Sequence, residues 1–321
     1  MRARLFSLPL LLCGCGALYT ARVEERFPPI GEMIATESGP IHYTRAGTGP
    51  TVVFVHGLNG SLRDLTDSRL YPMLVERFDV IAFDRPGSGY SSRGRFEEMS
   101  PQEHAHVLRN FLRALDVQRP LLIGHSAGGA VCLAYAVEYQ QDVAGLLLLG
   151  AVAYPWPGSH SFPLQWFAQL PLAGDLFMQT AFVPLALLFR HQKFAESFGT
   201  NPIPSAYYEP TAALSIRPKQ YLRNAQDLLL LWDSVRRLSE RYRKLDLPIT
   251  LLHGRDDDTV PARFHAERLA AEVPDAKLVL LSGISHQPHH TAPEAVLREL
   301  MKLEIRAEQK NRRHPDSAAD D

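Results

Sequence analysis

The sequence predicts an α/β fold in which a mostly parallel, eight-stranded sheet is flanked by helices and carries an inserted helical cap. Short apolar runs alternate with segments of helical character along most of the chain. A serine stands at the turn between one such run and the next helix, and residues 151–244 separate the last two runs from the others. With 321 residues and 45% hydrophobic content, the chain can bury one large core.

The composition limits the partners that the protein can have. The formal net charge is −1 at pH 7, and the Lys and Arg residues are not gathered into one block. A nucleic-acid partner is therefore not expected, because such proteins concentrate basic residues on one surface. Of the three cysteines, Cys132 alone lies outside the N-terminal apolar stretch. It is predicted to be a small core residue without an internal disulfide.

The first 21 residues are typical of an export signal. Arg2 and Arg4 precede an uncharged stretch over residues 5–20, which is short for a membrane span of ~20 apolar residues. Three interpretations stay open: a signal peptide, a lipoprotein signal with Cys15 as the lipidated residue, and a signal anchor. Each predicts a place in the cell envelope, exported or membrane-anchored and facing the periplasm or exterior. An ordinary buried helix is the alternative.

The first part of the core is predicted over residues 33–150, after a tether over residues 22–32. Extended runs at residues 33–37 and 41–45, separated by Ser-Gly-Pro, are typical of an antiparallel hairpin at the sheet edge. Ser100-Pro-Gln-Glu103 is a capping box that opens a helix. Further strands are predicted at residues 51–55, 79–83, 120–124 and 143–149.

The serine at the strand-to-helix turn lies in the pattern Gly124-x-Ser126-x-Gly128. Glycines two residues before and after it allow a tight turn where a Cβ atom would clash with the neighbouring strand or helix. The hydroxyl is thereby held at the N-terminus of a helix, which is the position of a nucleophile. The alternative is an ordinary loop that contains these residues by chance.

Residues 151–244 are predicted to form a helical cap, because they contain scattered prolines and apolar helical patches without strand alternation. Their aromatic side chains either line an apolar pocket or pack the cap onto the core. These aromatic residues are Trp156, Phe162, Trp166, Phe167, Phe177 and Phe182. The stretch 177–188 is apolar enough for contact with lipid, and a buried cap helix is the alternative.

The second part of the core is predicted over residues 245–307, followed by a disordered polar tail over residues 308–321. A strand at residues 247–253 ends in Gly-Arg-Asp-Asp-Asp-Thr-Val-Pro, and a strand at residues 277–281 is followed by Ser-Gly-Ile-Ser-His286. Because the carboxyl ends of parallel strands converge at one edge of a sheet, a carboxylate and this histidine are expected near the serine.

These motifs resemble those of the cap-bearing α/β-hydrolases, which include carboxylesterases, carbon–carbon bond hydrolases and epoxide hydrolases. The resemblance covers residues 30–303. It includes Asp84-Arg-Pro-Gly-Ser-Gly-Tyr-Ser91, which is similar to the Asp-x-x-Gly-x-Gly-x-Ser loop of the superfamily. The α/β-hydrolase fold is therefore expected.

The resemblance also implies the site residues. Ser126, Asp257 and His286 correspond to a nucleophile, an acid and a base in the chain order of this superfamily. The family's Gly-x-x-Asp-x-x-Val-Pro pattern selects the middle one of three successive aspartates. The backbone amides of Leu58 and Ala127 are the implied oxyanion donors.

The implied activity is that of a serine hydrolase acting on a carboxylic ester or related acyl substrate, a small and apolar molecule, through an acyl-enzyme. A carbon–carbon bond hydrolase, a cofactor-free perhydrolase or haloperoxidase, and an acyltransferase of the same fold stay open. Haloalkane dehalogenases and epoxide hydrolases use an aspartate where this chain has Ser126, so their alkyl-ester intermediate is excluded. A non-catalytic ligand-binding protein is the alternative from another class.

No cofactor and no metal ion is expected. The glycine-rich turn after residue 84 is not followed by the Gly-Lys-Ser or Gly-Lys-Thr of a phosphate-binding loop. His286, His289 and His290 are close in sequence, but no acidic or cysteine ligand accompanies them at a usual metal spacing. A metallohydrolase that uses these histidines is the weaker alternative.

Overall fold

The computed structural model describes residues 15–94, 97–157 and 163–313. Its strands are β1 (Glu32–Thr36), β2 (Gly39–Ala46), β3 (Thr51–Val55), β4 (Asp79–Phe83), β5 (Leu121–His125), β6 (Gly145–Leu149), β7 (Ile249–Gly254) and β8 (Ala276–Leu281). They form one sheet in the order β1-β2-β4-β3-β5-β6-β7-β8. The predicted eight-stranded sheet is confirmed.

The sheet is mostly parallel, as expected. The β1–β2 hairpin and the β2–β4 pair are antiparallel, and the remaining pairs are parallel. Every residue of β4, β5, β6 and β7 is buried. Parallel strands covered on both faces are apolar throughout, which is why short apolar runs were sufficient to predict them.

Helices cover both faces of the sheet. In the described residues they are α1 (Cys15–Arg26), α2 (Arg63–Thr66), α3 (Leu70–Val75), α4 (Pro101–Ala114), α5 (Ala127–Glu138), α6 (Pro163–Ala168), α7 (Ala173–Thr180), α8 (Phe182–Phe198), α9 (Ser205–Ser215), α10 (Pro218–Ser239), α11 (Ala266–Glu272), α12 (Pro288–Thr291) and α13 (Pro293–Arg313). Helices α4, α5 and α11 contribute to one apolar core, through residues such as Phe111 and Leu133. Helices α3 and α13 contribute to the other, through Leu74 and Leu300.

Helices α6 to α10 are inserted between β6 and β7, and a buried ionic network attaches α10 to the core. The Asp227 carboxylate of α10 accepts hydrogen bonds from Arg85 at 3.3 Å and His104 at 2.9 Å, and it also pairs with Arg93. All four side chains are buried. Removing one partner of such a network leaves an uncompensated buried charge, so the network fixes α10 relative to the strand ends.

The N-terminal part differs from its prediction. Helix α1 includes residues 22–26 of the predicted tether over 22–32, and it is docked on the cap. Arg217 of the cap donates to the Glu24 carboxylate at 2.7 Å, and the Tyr19 hydroxyl donates to the Ala213 carbonyl at 3.0 Å. Residues 1–14 lie outside the described residues, so the signal segment stays a prediction.

The other terminus also differs. Helix α13 continues to Arg313, so residues 308–313 of the predicted disordered tail are helical, and residues 314–321 lie outside the described part. The helix continues because its apolar side packs on the sheet as far as Ala307. Within the described ranges, no helix has both the length and the apolar character needed to cross a membrane.

Candidate active site

Ser126 occupies a tight turn between β5 and α5. Its φ of 53° and ψ of −123° lie in a region that residues other than glycine seldom adopt. Gly124 and Gly128 permit the turn because other atoms approach them too closely to leave room for a Cβ atom. A Cβ atom on Gly128 would lie 2.1 Å from the Val55 carbonyl oxygen, and one on Gly124 would lie 2.7 Å from the Cys132 sulfur. We call residues 124–128 the nucleophile turn.

His286 and Asp257 form a buried pair. Nδ1 of His286 lies 2.8 Å from Oδ2 of Asp257. Because a carboxylate can only accept, Nδ1 carries the proton, and Nε2 of the neutral ring is left as an acceptor. Asp257 is 3% exposed, whereas the aspartates on either side of it are exposed.

Several donors converge on the Asp257 carboxylate. Oδ1 accepts hydrogen bonds from the backbone amides of Thr259 at 3.0 Å and Val260 at 2.8 Å. Nε2 of His253 lies 3.2 Å from Oδ2. Burial raises the pKa of Asp257, but interactions with His286 and His253 outweigh burial and hold the pKa below its usual value. Asp257 is therefore ionised.

The nucleophile turn lies beside the loop that carries His286. Nε2 of His125, the residue before Ser126, lies 2.9 Å from the carbonyl oxygen of His286, and the two imidazole centroids are 4.9 Å apart. Among the described residues, no hydrogen bond joins the Ser126 hydroxyl to His286. The structure thus brings Asp257 and His286 into contact and places Ser126 near them without the third contact, which in unliganded enzymes often forms only with substrate.

The two predicted oxyanion donors come from adjacent loops. Ala127 is the first residue of α5, so its N–H has no carbonyl partner within the helix. In the described part of the chain, the Leu58 N–H donates to no backbone carbonyl. A Cβ atom on Gly57 would lie 3.0 Å from Cβ of Ser126, so the Leu58 loop contacts the nucleophile turn. Among the described residues, neither amide has a backbone carbonyl as its acceptor, as the prediction of an oxyanion donor requires.

Comparison with known proteins identifies the family. Residues 50–293 match the family model of the alpha/beta hydrolase fold. This chain belongs to the alpha/beta hydrolase family. Haloalkane dehalogenase 2 of Mycobacterium bovis is 30% identical over 289 residues, which are 84% of this chain and 93% of that protein.

Two further comparisons agree with this assignment. The 2-hydroxy-6-oxo-6-phenylhexa-2,4-dienoate hydrolase of Comamonas testosteroni is 26% identical over 254 residues, which are 77% of this α/β-hydrolase and 84% of that enzyme. The structure of a thermophilic esterase from Thermogutta terrifontis aligns with a TM-score of 0.69 at 21% identity, covering 86% of this chain and 98% of that one. At that identity the esterase shows a common fold.

An apolar cluster lies over the nucleophile turn of this α/β-hydrolase. It joins residues after the ends of β3, β5, β6 and β7 to helix α10, and we call it the elbow cluster. Its members are Leu58, Ala127, Ala130, Val152, Trp156, Leu228, Leu231, Val235 and Val260. Of the aromatic residues predicted to line a pocket or pack the cap, Trp156 belongs to this cluster.

The other predicted pocket aromatics lie elsewhere. Trp166 and Phe167 are exposed, and Phe177 and Phe182 pack in a separate cluster within the cap. Phe162 lies outside the described residues. The cap therefore contributes to the surroundings of Ser126 mainly through α10.

Two residues that contact the site were not singled out from the sequence. His253 ends a predicted strand, and it lies four residues before Asp257 at the carboxyl edge of the sheet. Arg85 belongs to the predicted Asp-x-x-Gly-x-Gly-x-Ser loop. Its side chain is buried and donates to the carbonyl oxygens of His56 at 3.1 Å and Gly57 at 3.0 Å.

His289 and His290 pack with other rings. Their centroids are 4.4 Å apart, His289 contacts Phe54, and His290 contacts Tyr207. Burial lowers the pKa of His290 to about 3, and burial also lowers the pKa of His289. In the part of the chain that the structure describes, no group of three His, Cys, Asp or Glu residues has the arrangement of a metal site.

Proposed function

We propose that this α/β-hydrolase is a serine hydrolase that cleaves a carboxylic ester with an apolar acyl group. The observation that carries the proposal is the 2.8 Å contact between His286 Nδ1 and Asp257 Oδ2 next to the nucleophile turn. It leaves Nε2 of His286 unprotonated in the neutral ring, as a general base requires. Ser126 is the hydroxyl group in the strained turn beside this ring.

The proposed reaction has two halves. Ser126 Oγ attacks the ester carbonyl carbon while Nε2 of His286 takes its proton, and the ionised Asp257 stabilises the imidazolium. The amides of Leu58 and Ala127 donate to the oxyanion. His286 then returns the proton to the departing alcohol, which leaves an acyl-enzyme on Ser126. In the second half, water attacks the acyl carbon with the same proton transfers in reverse and releases the acid.

The elbow cluster supports an apolar acyl group and distinguishes two candidate reactions. Each of its members is apolar, so a hydrocarbon chain buried there loses no polar contact. A dienoate, the substrate class in the name of the Comamonas testosteroni relative, carries a carboxylate that needs a cationic partner when it is buried. The nearby guanidinium of Arg85 is already paired with Asp227. We therefore favour an uncharged ester over a dienoate with a scissile carbon–carbon bond.

Covalent labelling tests the proposal. A fluorophosphonate should add to Ser126, and peptide mapping should locate the adduct there. Ser126→Ala should abolish both the adduct and hydrolysis of p-nitrophenyl esters, whereas Ser88→Ala should change neither. Ser88 is a buried serine of a different loop. Labelling that persists in Ser126→Ala would assign the chemistry to another nucleophile. A folded wild-type protein with neither adduct nor turnover would support the ligand-binding alternative.

A further inference from the structure

The cap presents a large apolar surface to solvent. Helices α6, α7 and α8 and their connections expose several apolar side chains, among which Leu172 is 84%, Leu188 75% and Trp166 61% exposed. We define the cap apolar face as the exposed Leu, Phe and Trp side chains between residues 164 and 189. Single exposed apolar residues are normal on soluble proteins, but a contiguous set marks an interaction surface.

The same stretch almost lacks charge. Between residues 163 and 189, Asp175 is the one ionisable residue. Basic residues begin where the apolar stretch ends, since Arg190 directly follows Phe189 in α8 and Lys193 comes one turn later. An apolar helix surface bordered by cations is the pattern of helices that lie in the interface of a membrane.

The exposed side chains are additional to the core that the cap already has. Met178, Phe182 and Val183 of α7 and α8 are buried in a cluster of their own. The helices are thus apolar both on the side that packs and on the side that faces solvent. Apolar side chains on the solvent side are stabilised when a second apolar environment covers them.

Helix α1, at the start of the described residues, packs against these same cap helices. Tyr19 of α1 packs in the cap cluster, and a Cβ atom on Gly16 would lie 2.7 Å from Oε1 of Gln179 in α7. Leu18 of α1 is 53% exposed. The 14 residues before α1 contain Arg2 and Arg4 and are otherwise uncharged from residue 5 onwards. An apolar N-terminal segment therefore joins the protein beside the cap.

We propose that the cap apolar face docks on a phospholipid bilayer, with α6, α7 and α8 at the boundary between headgroups and acyl chains. A bilayer accounts for three features together: the exposed apolar residues of the cap, the uncharged sequence over residues 5–14 that precedes α1, and the cations at the border of the cap residues. Arg190 would contact anionic headgroups while its stem packs on the apolar side. The docked protein lies on the membrane, and its cap does not cross it.

Vesicle flotation of the full chain tests the surface directly. Wild-type protein should float with vesicles of phosphatidylcholine and phosphatidylglycerol, and Leu172→Glu/Leu188→Glu should reduce the bound fraction about tenfold or more, because it places two carboxylates in the buried layer. The matched control is Met33→Glu/Ile305→Glu. It changes two exposed apolar residues outside the cap, which are 51% and 54% exposed. Equal flotation of the two double variants would overturn the proposal.

Fluorescence quenching locates the contact. Brominated phosphatidylcholine should quench the fluorescence of Trp166. That fluorescence is obtained as the difference between wild type and Trp166→Phe, in which the contributions of Trp156 and Trp232 cancel. Absence of that quenching would overturn the proposal. A wild-type dimer that Leu172→Glu/Leu188→Glu dissociates, without quenching by lipid, would assign the face to a second copy and also overturn it. Matching circular dichroism spectra establish that each variant is folded, and no step requires the proposed hydrolysis.

Discussion

Nη2 of Arg85 donates to the carbonyl oxygen of Gly57 at 3.0 Å, and that carbonyl belongs to the same peptide unit as the N–H of Leu58. Because a peptide unit is planar and trans, its N–H points away from its carbonyl. A group that holds the Gly57 oxygen therefore also sets the direction of the Leu58 amide. The other arm of the same guanidinium contacts Asp227 of the cap at 3.3 Å. One side chain thus links the proposed oxyanion donor to helix α10.

Arg85→Lys should lower kcat for ester hydrolysis by about 10- to 100-fold with little change in KM. A lysine keeps the charge beside Asp227 but cannot reach two carbonyls and a carboxylate with one ammonium group. The Gly57 oxygen then keeps its contact with His56 Nδ1 at 2.8 Å but loses the guanidinium, so the direction of the Leu58 amide is less firmly fixed. The expected loss is smaller than the cost of removing an oxyanion donor altogether, which is about 100- to 1,000-fold. Steady-state kinetics on a p-nitrophenyl ester measure the effect.

The matched control for this prediction is Arg109→Lys. Arg109 also contacts a carboxylate, that of Asp142 at 2.6 Å, but it is partly exposed and lies on α4 away from the site. The Arg109→Lys variant should hydrolyse the ester at the wild-type rate. Unchanged kcat in a folded Arg85→Lys variant would show that the guanidinium does not position the amide.

Asp257→Asn should reduce kcat by about 10,000-fold, while Asp256→Asn and Asp258→Asn should leave it within about twofold of wild type. The amide cannot stabilise the imidazolium, and it favours the wrong tautomer of His286. The two neighbouring aspartates are exposed and serve as controls of identical chemistry. Comparable losses in all three variants would contradict the assignment of Asp257 as the orienting acid.

The free energy of unfolding should decrease in acid, and protonation of Asp227 should account for part of the decrease. Burial raises the pKa of this carboxyl, but His104, Arg85 and Arg93 outweigh burial and lower the pKa from 3.8 to about 2. The unfolded chain therefore binds the proton more tightly, and the stabilisation is fully present above about pH 4 and is lost as the pH falls through 2. The difference corresponds to about 2 kcal/mol in the free energy of unfolding.

Urea unfolding between pH 2 and pH 5 measures this contribution. The free energy of unfolding of Asp227→Asn should fall less steeply with decreasing pH than that of wild type, since the amide does not titrate. Asp256→Asn, which removes an exposed carboxyl, should retain the wild-type slope. If Asp227→Asn and wild type have the same slope, the network does not hold the ionised form of Asp227.

The sequence allowed the sheet to be predicted, because the buried parallel strands are apolar on both faces and their turns contain glycine at positions of close approach. Residues whose role depends on contacts across the sheet were not predictable in the same way. Arg85 contacts Gly57, 28 residues away, and nothing in its own turn indicates that contact. The helical and docked part of the predicted tether, residues 22–26, was not predictable because its docking depends on Arg217, which lies 193 residues from Glu24.

Leu231→Trp should shift hydrolysis toward shorter acyl chains. Leu231 is buried in the elbow cluster on α10, where an indole would occupy the space proposed for an acyl chain. Because added bulk in a packed apolar region is costly, long chains should lose rate while acetate esters are retained. The p-nitrophenyl ester series from acetate to decanoate measures the profile, and Leu185→Trp, at an exposed position on α8, provides the control. If Leu231→Trp lowers the hydrolysis rate equally at every chain length, Leu231 lies outside the acyl site. Steric exclusion from the acyl site lowers the rate for long chains only, whereas general damage to the enzyme lowers it for all of them.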